Sequence, residues 1–367
     1  MSRMTNTVEL ERAAEMALSE AKKRGASAAE VGLSHSEGLS VTVRQREVET
    51  LEHNNDTGLG ITVYFGQSKA SSSTSDLSEA AITEAVGAAC NIAKHTQADE
   101  AAGLADADLM ATVFPELSLY HPWSIDVEKA IDLATLCEQA GLDNDPRISN
   151  SEGATVSSHT GQRVYANSHG FIGATQSSRH SLSATLIAQD ARGMQRDYWY
   201  DIKRDANDLL SAESIGLKAA ERTLSRLGAG EVKTGSYPVI FTAQMAPSLF
   251  GQLISAIRGG ALYRKASFLL DKKGEQIFPE FIHVHEQPHI LKALGSASFD
   301  GEGVATQNRD IILDGVLQGY VLDSYAARRL GLQTTGNAGG VHNLTIDSST
   351  DADLAALIKK MDKGIIV

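Results

Sequence analysis

The chain has 367 residues, with 33 Lys and Arg against 46 Asp and Glu, for a formal charge of −13; this length suggests two or three domains. Hydrophobic residues at 42% and charged residues at 22% support ordinary cores and exclude disordered, collagen-like and coiled-coil classes. No basic run exceeds Lys22-Lys23-Arg24, so direct contact with a phosphate backbone is disfavoured and no nucleic-acid partner is expected.

Residues 8–24 read as a helix, with Leu10, Ala13, Ala14, Ala17, Leu18 and Ala21 on one stripe and Gly25 as its stop. Period-two strands follow at residues 39–44 and 60–65, with turn chemistry between them at residues 53–58. The small hydroxyls of residues 71–75 suit a strand end or a loop. Asp76 with Glu79 has the spacing of a capping box for a helix through Leu77, Ala81, Ala85, Ala89 and Ile92. Residues 96–123 look like a connection. The order then recurs. Ser124 can cap a helix through Ala130, Ala134 and Cys137. Strands are expected at residues 147–158, 162–166 and 171–187, and Ser211 precedes a helix stopped by Gly228.

From residue 235 the character changes. Pro238-Val-Ile-Phe-Thr242 reads as a short strand, and residues 248–257 as a helix with Leu249, Phe250, Leu253, Ile254 and Ile257 on its stripe. Strands resume at 277–285, and Asp314-Gly315 marks a hairpin. Residues 333–340 form a glycine-rich loop. A helix covers 352–361, and the ending Gly-Ile-Ile-Val367 reads as the point where a strand should begin. The fold class is therefore α+β: two helix–antiparallel-strands–helix units, then a β-rich C-terminal domain that ends short of its full set of strands. Cys90 and Cys137 fall at Ala-rich helical positions and read as buried free thiols of a reducing compartment. The N-terminal residues lack the apolar core of a signal peptide, and no apolar run reaches the roughly 18 residues of a membrane span, so a cytoplasmic chain without a membrane partner is expected.

His285-Glu286-Gln287-Pro288-His289 matches H-E-x-x-H, in which two helical histidines one turn apart hold zinc and the glutamate activates water. Pro288 opposes that helix at a cost of about 3 kcal/mol, and the alternation of residues 281–285 points to a strand entering a turn. His283 would then share a face with His285, which leaves a strand-type metal site open. The loop at 334–340 could cradle an anion or make a close backbone contact, with His342 and Asn343 beside it. Residues 196–200, Arg-Asp-Tyr-Trp-Tyr, suit an interface anchor or the rim of a core equally well.

Several blocks resemble the TldD/PmbA family, on its PmbA (TldE) branch: Gly58-Leu-Gly-Ile-Thr-Val-Tyr64, Tyr165-Ala-Asn-Ser-His-Gly-Phe171, residues 196–200, Gly259-Gly-Ala-Leu-Tyr-Arg-Lys-Ala-Ser-Phe268 and Asn337-Ala-Gly-Gly-Val-His-Asn343. The resemblance runs from residue 8 to the end. It implies three parts, at residues 1–115, 116–232 and 233–367. It also implies a cytoplasmic heterodimer of TldD-type and TldE-type subunits that works as a zinc metallopeptidase on unfolded proteins or peptides. The TldD-type motif, H-E-x-x-x-H on a helix, falls here on Gly251, Gln252 and Ala256, so the resemblance implies the metal-free subunit, with zinc in its partner. Arg264, Lys265, Asn337, His342, Asn343, Arg196 and Trp199 are its candidate contacts to substrate or partner, and a homodimer is possible when the chain is alone. Two other readings stand beside it. One is a metal peptidase acting through His285, Glu286 and His289. The other is a regulatory binding protein, as in the family's older name, modulator of DNA gyrase.

Overall fold

In the computed structural model, which describes residues 7–347 and 353–367, the expected first helix is α1 (Thr7–Lys23). It buries Leu10, Ala13, Ala14, Ala17 and Ala21, and Lys22 and Lys23 sit against the negative end of its dipole. Two long strands, β1 (Ala28–Arg44) and β2 (Glu47–Phe65), form a hairpin, and β3 (Ser68–Thr74) pairs with the far end of β2. Next comes α2 (Glu79–Ala93), capped by Ser78, whose hydroxyl accepts from the Ala81 N–H. The Asp76 cap expected from sequence is displaced, because its carboxylate accepts the N–H of Ser78, the actual cap, at 2.8 Å, two residues too early.

The second half repeats the plan. Helix α3 (Val127–Leu142) is capped by Asp126 rather than Ser124, through the Lys129 N–H at 2.8 Å. Then come β4 (Ile148–Asn167), β5 (Ile172–Asp190), β6 (Gly193–Lys203) and α4 (Ala212–Ser225), the last capped by Ser211 as expected. The strands expected at 147–158 and 162–166 are one strand, and residues 196–200 belong to β6. All six strands form one antiparallel sheet in the order β3-β2-β1-β4-β5-β6. The two halves meet where β1 pairs with β4, from Glu30 opposite Asn167 to Val43 opposite Ala154.

Each of these strands is long enough to serve two cores. Val31, Leu33, Ile61, Val63 and Val164 pack with α1 and α2, whereas Leu39, Val41, Val43, Val156, Leu182 and Leu186 pack with α3 and α4. Both cores draw on the odd-numbered residues of β1, so all four helices cover the same face. The other face is open and polar: Ser34 and Ser36 are exposed, and the hydroxyl pairs Ser40–Ser157 and Thr42–Thr155 meet across β1 and β4 at 2.9 Å. Cys90 and Cys137 are buried and unpaired, one in each core.

The turn expected at residues 53–58 lies inside β2, paired with residues 34–39 of β1. The chain reverses instead at Gln45 and Arg46, with φ of 53° and 65°. Such a turn usually requires Asn-Gly. Glu138 of α3 compensates. It is fully buried, and its carboxylate accepts the Gln45 N–H at 2.9 Å and the Arg46 N–H at 2.8 Å.

Contacts group this sheet and its helices as one unit (residues 7–96, 116–231 and 291–294) and the remaining residues as a second. In chain order the second unit holds β7 (Val239–Ile240), α5 (Ala246–Ile257), α6 (Gly259–Tyr263), β8 (Val284–Glu286), β9 (Arg309–Leu313), β10 (Val316–Leu317), α7 (Ser324–Leu330), β11 (Leu344–Ile346), α8 (Leu354–Met361) and β12 (Ile365–Ile366). One sheet runs β10-β9-β8-β11, and β12 lies parallel to β7. The Asp314-Gly315 hairpin forms as expected, with φ of 49° and 74°. The strand expected at 277–285 shortens to β8, because the Ile277 and Phe278 N–H groups bond the Gly315 carbonyl at that hairpin's tip instead. Helix α8 begins after Asp353, its cap; residue 352, where the helix was expected to start, lies outside the described residues. Residues 97–115 belong to this unit, held by Arg328, whose guanidinium donates to the carbonyls of Ala101, Gly103 and Leu104. Its core is built on Ile257, Leu262, Ile311, Ile312 and Leu317. Among the described residues no helix is long and apolar enough to cross a membrane.

Removing the Glu138 carboxylate leaves two turn N–H groups without acceptors. Glu138→Ala is expected to cost about 3 kcal/mol, from two hydrogen bonds to a charged acceptor. Urea unfolding measures this, and an unchanged midpoint would show that the turn stands without it.

Candidate functional site

The three residues of β8 alternate, so Val284 and Glu286 point inward and His285 points outward. Glu286 is 1% exposed and fully engaged. Its Oε2 accepts from Arg309 Nε at 2.7 Å, and its Oε1 accepts from Asn337 Nδ2 and the His342 N–H, both at 2.7 Å. Arg309 comes from β9. It also donates to Asn337 Oδ1 and to the Tyr320 carbonyl, each at 2.8 Å.

The glycine-rich loop hangs on this group. Asn337 is 4% exposed, accepts from Thr335 Oγ1 and donates to the Gly340 carbonyl. Gly336 has φ of 69° and passes so close to β9's lead-in that a Cβ would lie 2.9 Å from the Ala305 carbonyl. Asn343 donates to the Gln287 carbonyl and Ser296 Oγ at 2.8 Å, and its Oδ1 accepts the Gly295 N–H. The His342 ring nitrogens face the carbonyls of Gly295 and Gly336 at 3.2 and 3.3 Å. Asn337, His342 and Asn343 are thus brought together as the staples of a loop around a buried carboxylate. Arg309 is the member that the sequence does not single out. Its only sequence signal is that a buried Glu needs a cation.

An acidic pair, Asp300 and Glu302, ties the loop to α7. Asp300 accepts the N–H groups of Glu302, Val304 and Ala338, and Glu302 accepts the Ser324 N–H at 3.0 Å. Burial pushes the Glu302 carboxyl up to about 7, helped by the charges of Asp300 and Asp323 and opposed by the bonds from Ser324.

The H-E-x-x-H side chains do not converge. His285 lies between Asp310 at 2.5 Å and Asp347 at 3.0 Å, Glu286 points to the opposite face, and His289 Nε2 is 3.1 Å from Thr306 Oγ1. The strand conformation is the cause. Neighbours in a strand diverge, whereas the metal motif needs one helical face.

Helix α5 carries Gly251, Gln252 and Ala256. Leu253, Ile254 and Ile257 form its buried side, while Gly251 and Gln252 are exposed, with open space around Gly251. A glycine, an amide and a methyl group offer neither imidazole nor carboxylate, so the zinc that the family resemblance implies does not fit here. Beyond α6, Arg264 and Lys265 form an exposed basic step, with the Arg264 guanidinium 5.4 Å over the Tyr263 ring.

Arg196 and Trp199 lie in the first unit, on opposite faces of β6. Arg196 pairs with Glu152 at 2.6 Å on the open side. Trp199 packs into the α3–α4 core with the Arg222 guanidinium 5.3 Å over its ring, which makes it a core rim. The exposed aromatic pair is Tyr198 and Tyr200, stacked with ring centroids 6.0 Å apart.

Three domain models of one family match the chain in order: PmbA/TldA metallopeptidase domain 1 at residues 29–93, the central domain at 120–227 and the C-terminal domain at 234–367. A metalloprotease PmbA homologue of Haemophilus influenzae is 46% identical over 359 residues, which cover 98% of this chain and 79% of that protein. A solved structure from Bacteroides thetaiotaomicron, described as a candidate modulator of DNA gyrase, is 31% identical with a TM-score of 0.92, covering 100% of this chain and 82% of that one. TldE of Thermococcus kodakarensis shares the fold, with a TM-score of 0.83 at 20% identity, over 97% of this chain and 82% of that one.

Glu286→Ala strands Arg309 in the interior and is expected to destabilise the chain by about 3–5 kcal/mol; a loss under about 1 kcal/mol in urea unfolding would dissociate this network from the fold. Glu302 sets a pH trend. Its folded-state pKa of about 7 lies above the ordinary 4.5, so the folded state holds the proton more tightly. Its contribution is full below about pH 4.5 and is lost as pH rises through about 7. Thermal melts across that window should show falling stability in the wild type and a flatter profile in Glu302→Gln; equal slopes would refute the assignment.

Proposed function

The chain belongs to the PmbA/TldD metallopeptidase family, and we propose that it is the non-catalytic, TldE-type subunit of a cytoplasmic heterodimeric zinc metallopeptidase. The observation that carries this reading is α5, which presents Gly251, Gln252 and Ala256 where the family resemblance asks for two histidines and a glutamate. Metal-assisted hydrolysis needs ligands for the ion and a base for the water. Glu286, the other candidate base, is committed to Arg309, Asn337 and the His342 N–H.

The work left to such a chain is to shape the space in which a TldD-type partner's zinc meets an unfolded protein or peptide. In this reading the exposed Arg264 and Lys265 hold substrate carboxylates, and an extended peptide joins a sheet edge through backbone hydrogen bonds.

The test is hydrolysis of an unfolded protein by the chain alone, by a TldD-type subunit alone, and by the mixture. Activity in the mixture, with none from this chain alone, is expected. That activity should vanish when the partner's metal ligands are replaced. Hydrolysis by this chain alone, or a mixture that neither associates nor cleaves, would overturn the proposal.

A further inference from the structure

The outward side of β8 is unlike its inward side. His283 and His285 are two residues apart, so their side chains share one face. Each imidazole has one nitrogen held from behind by a carboxylate. Asp310 of β9 faces His285 Nδ1 at 2.5 Å, and Asp314, at the β9–β10 turn, faces His283 Nε2 at 3.1 Å. The two other nitrogens turn toward one oxygen: Asp347 Oδ2 is 3.0 Å from His285 Nε2 and 3.7 Å from His283 Nδ1. One donor atom from each of His283, His285 and Asp347 lies within 4.8 Å of the others.

We infer that His283, His285 and Asp347 form a binding site for a borderline divalent transition cation, zinc above all, distinct from α5 and not hydrolytic. Two imidazoles and a carboxylate are a donor set for zinc, nickel or cobalt rather than for calcium or magnesium. Asp310 and Asp314 occupy the positions of the outer carboxylates that orient metal-binding histidines and raise their basicity. Charge points the same way. Three carboxylates crowd two imidazoles, and among the described residues no Lys or Arg forms an ion pair with any of the three.

Access and fit are both reasonable. The two histidine side chains are 30% and 27% exposed and that of Asp347 is 50% exposed, so a hydrated ion can reach them. Tetrahedral zinc with bonds near 2.0–2.1 Å separates its donors by roughly 3.4 Å, close to the 3.0 and 3.7 Å that already separate Asp347 Oδ2 from the two rings. The bound ion would clasp β8, the β9–β10 hairpin and the end of β11. It would have no free base beside it, because Asp310 and Asp314 are engaged behind the imidazoles and Glu286 lies on the far face of β8. The ion therefore stiffens the strand from which the glycine-rich loop hangs.

The test is zinc binding to the full, untagged, chelator-treated chain near neutral pH, read by competition with a chromophoric chelator. About one zinc per chain is expected. His283→Ala, His285→Ala and Asp347→Ala should each weaken binding at least tenfold, and Asp310→Asn by about 10–100-fold as an orienting group. Binding should also weaken as pH falls through the imidazole range, because proton and metal compete. His95→Ala, at an exposed histidine elsewhere, should change nothing. Circular dichroism checks folding, and His283→Gln replaces any alanine variant that fails to fold. No stoichiometric zinc in the wild type, or equal affinity in the wild type and the His283 and His285 variants, would overturn the inference. So would peptide hydrolysis by the zinc-loaded chain alone, which would make the site catalytic. Metal binding and hydrolysis are read separately, so this inference and the subunit reading can fail independently.

Discussion

The pairing of β1 with β4 is the constraint on which the first unit rests. Without it, each helix–strands–helix half would be a three-stranded sheet with a long unpaired inner edge. With it, the two halves share one sheet and one buried face, and the inner edge of each half is paired. The approach is close. At Gly38, near the middle of the joint, a Cβ would lie 2.0 Å from His159 Nδ1 on the strand opposite. The ring therefore occupies the space that any larger residue at 38 would need. From Gly32 to Thr42 the even-numbered residues of β1 face out over the joint and are small or hydroxylic. This leaves a smooth polar surface opposite the helices.

Buried carboxylates do similar work in both units. Glu138 gathers two N–H groups of a turn that lacks its usual glycine, and Glu286 gathers a guanidinium, an amide and a backbone N–H. In each case an acid from one element fixes irregular backbone in another. This matters most in the second unit, whose strands are only two to five residues long. Ladders that short supply few backbone bonds, so side-chain acceptors such as Glu286, Asp300 and Asn343 set the path of the chain between them.

This division explains what was legible in the sequence. Helix stripes are local, and α1, α4 and α5 were readable from apolar spacing, as was the Asp314-Gly315 turn from its φ preferences. Caps were half-readable. Ser211 serves its helix, but Asp76 and Ser124 lose theirs to Ser78 and Asp126, because several acceptors compete within one turn of chain. The reversal at Gln45 and Arg46 was not readable, since its determinant is a glutamate in another helix. The polar residues 53–58 looked like a turn, yet a long exposed strand at a sheet edge carries the same composition. At the site, the block at 337–343 was singled out, but its role was not. Nothing local distinguishes an asparagine aimed at substrate from one aimed at a buried glutamate.

The H-E-x-x-H run shows how backbone geometry decides chemistry. In a helix, His285 and His289 would lie one turn apart on one face, within reach of one ion. Pro288 opposes that helix, and the pleat of β8 sends Glu286 inward and His285 outward. The pairing that a strand does permit is between i and i+2, and here residue i is also a histidine. The pleat that separates His285 from Glu286 therefore unites it with His283. One short strand divides its polar residues into an inner group that organises a loop and an outer group with the donors of a cation site. Neither group holds both a metal donor set and a free base, which is why the peptidase role proposed for this chain depends on a partner subunit.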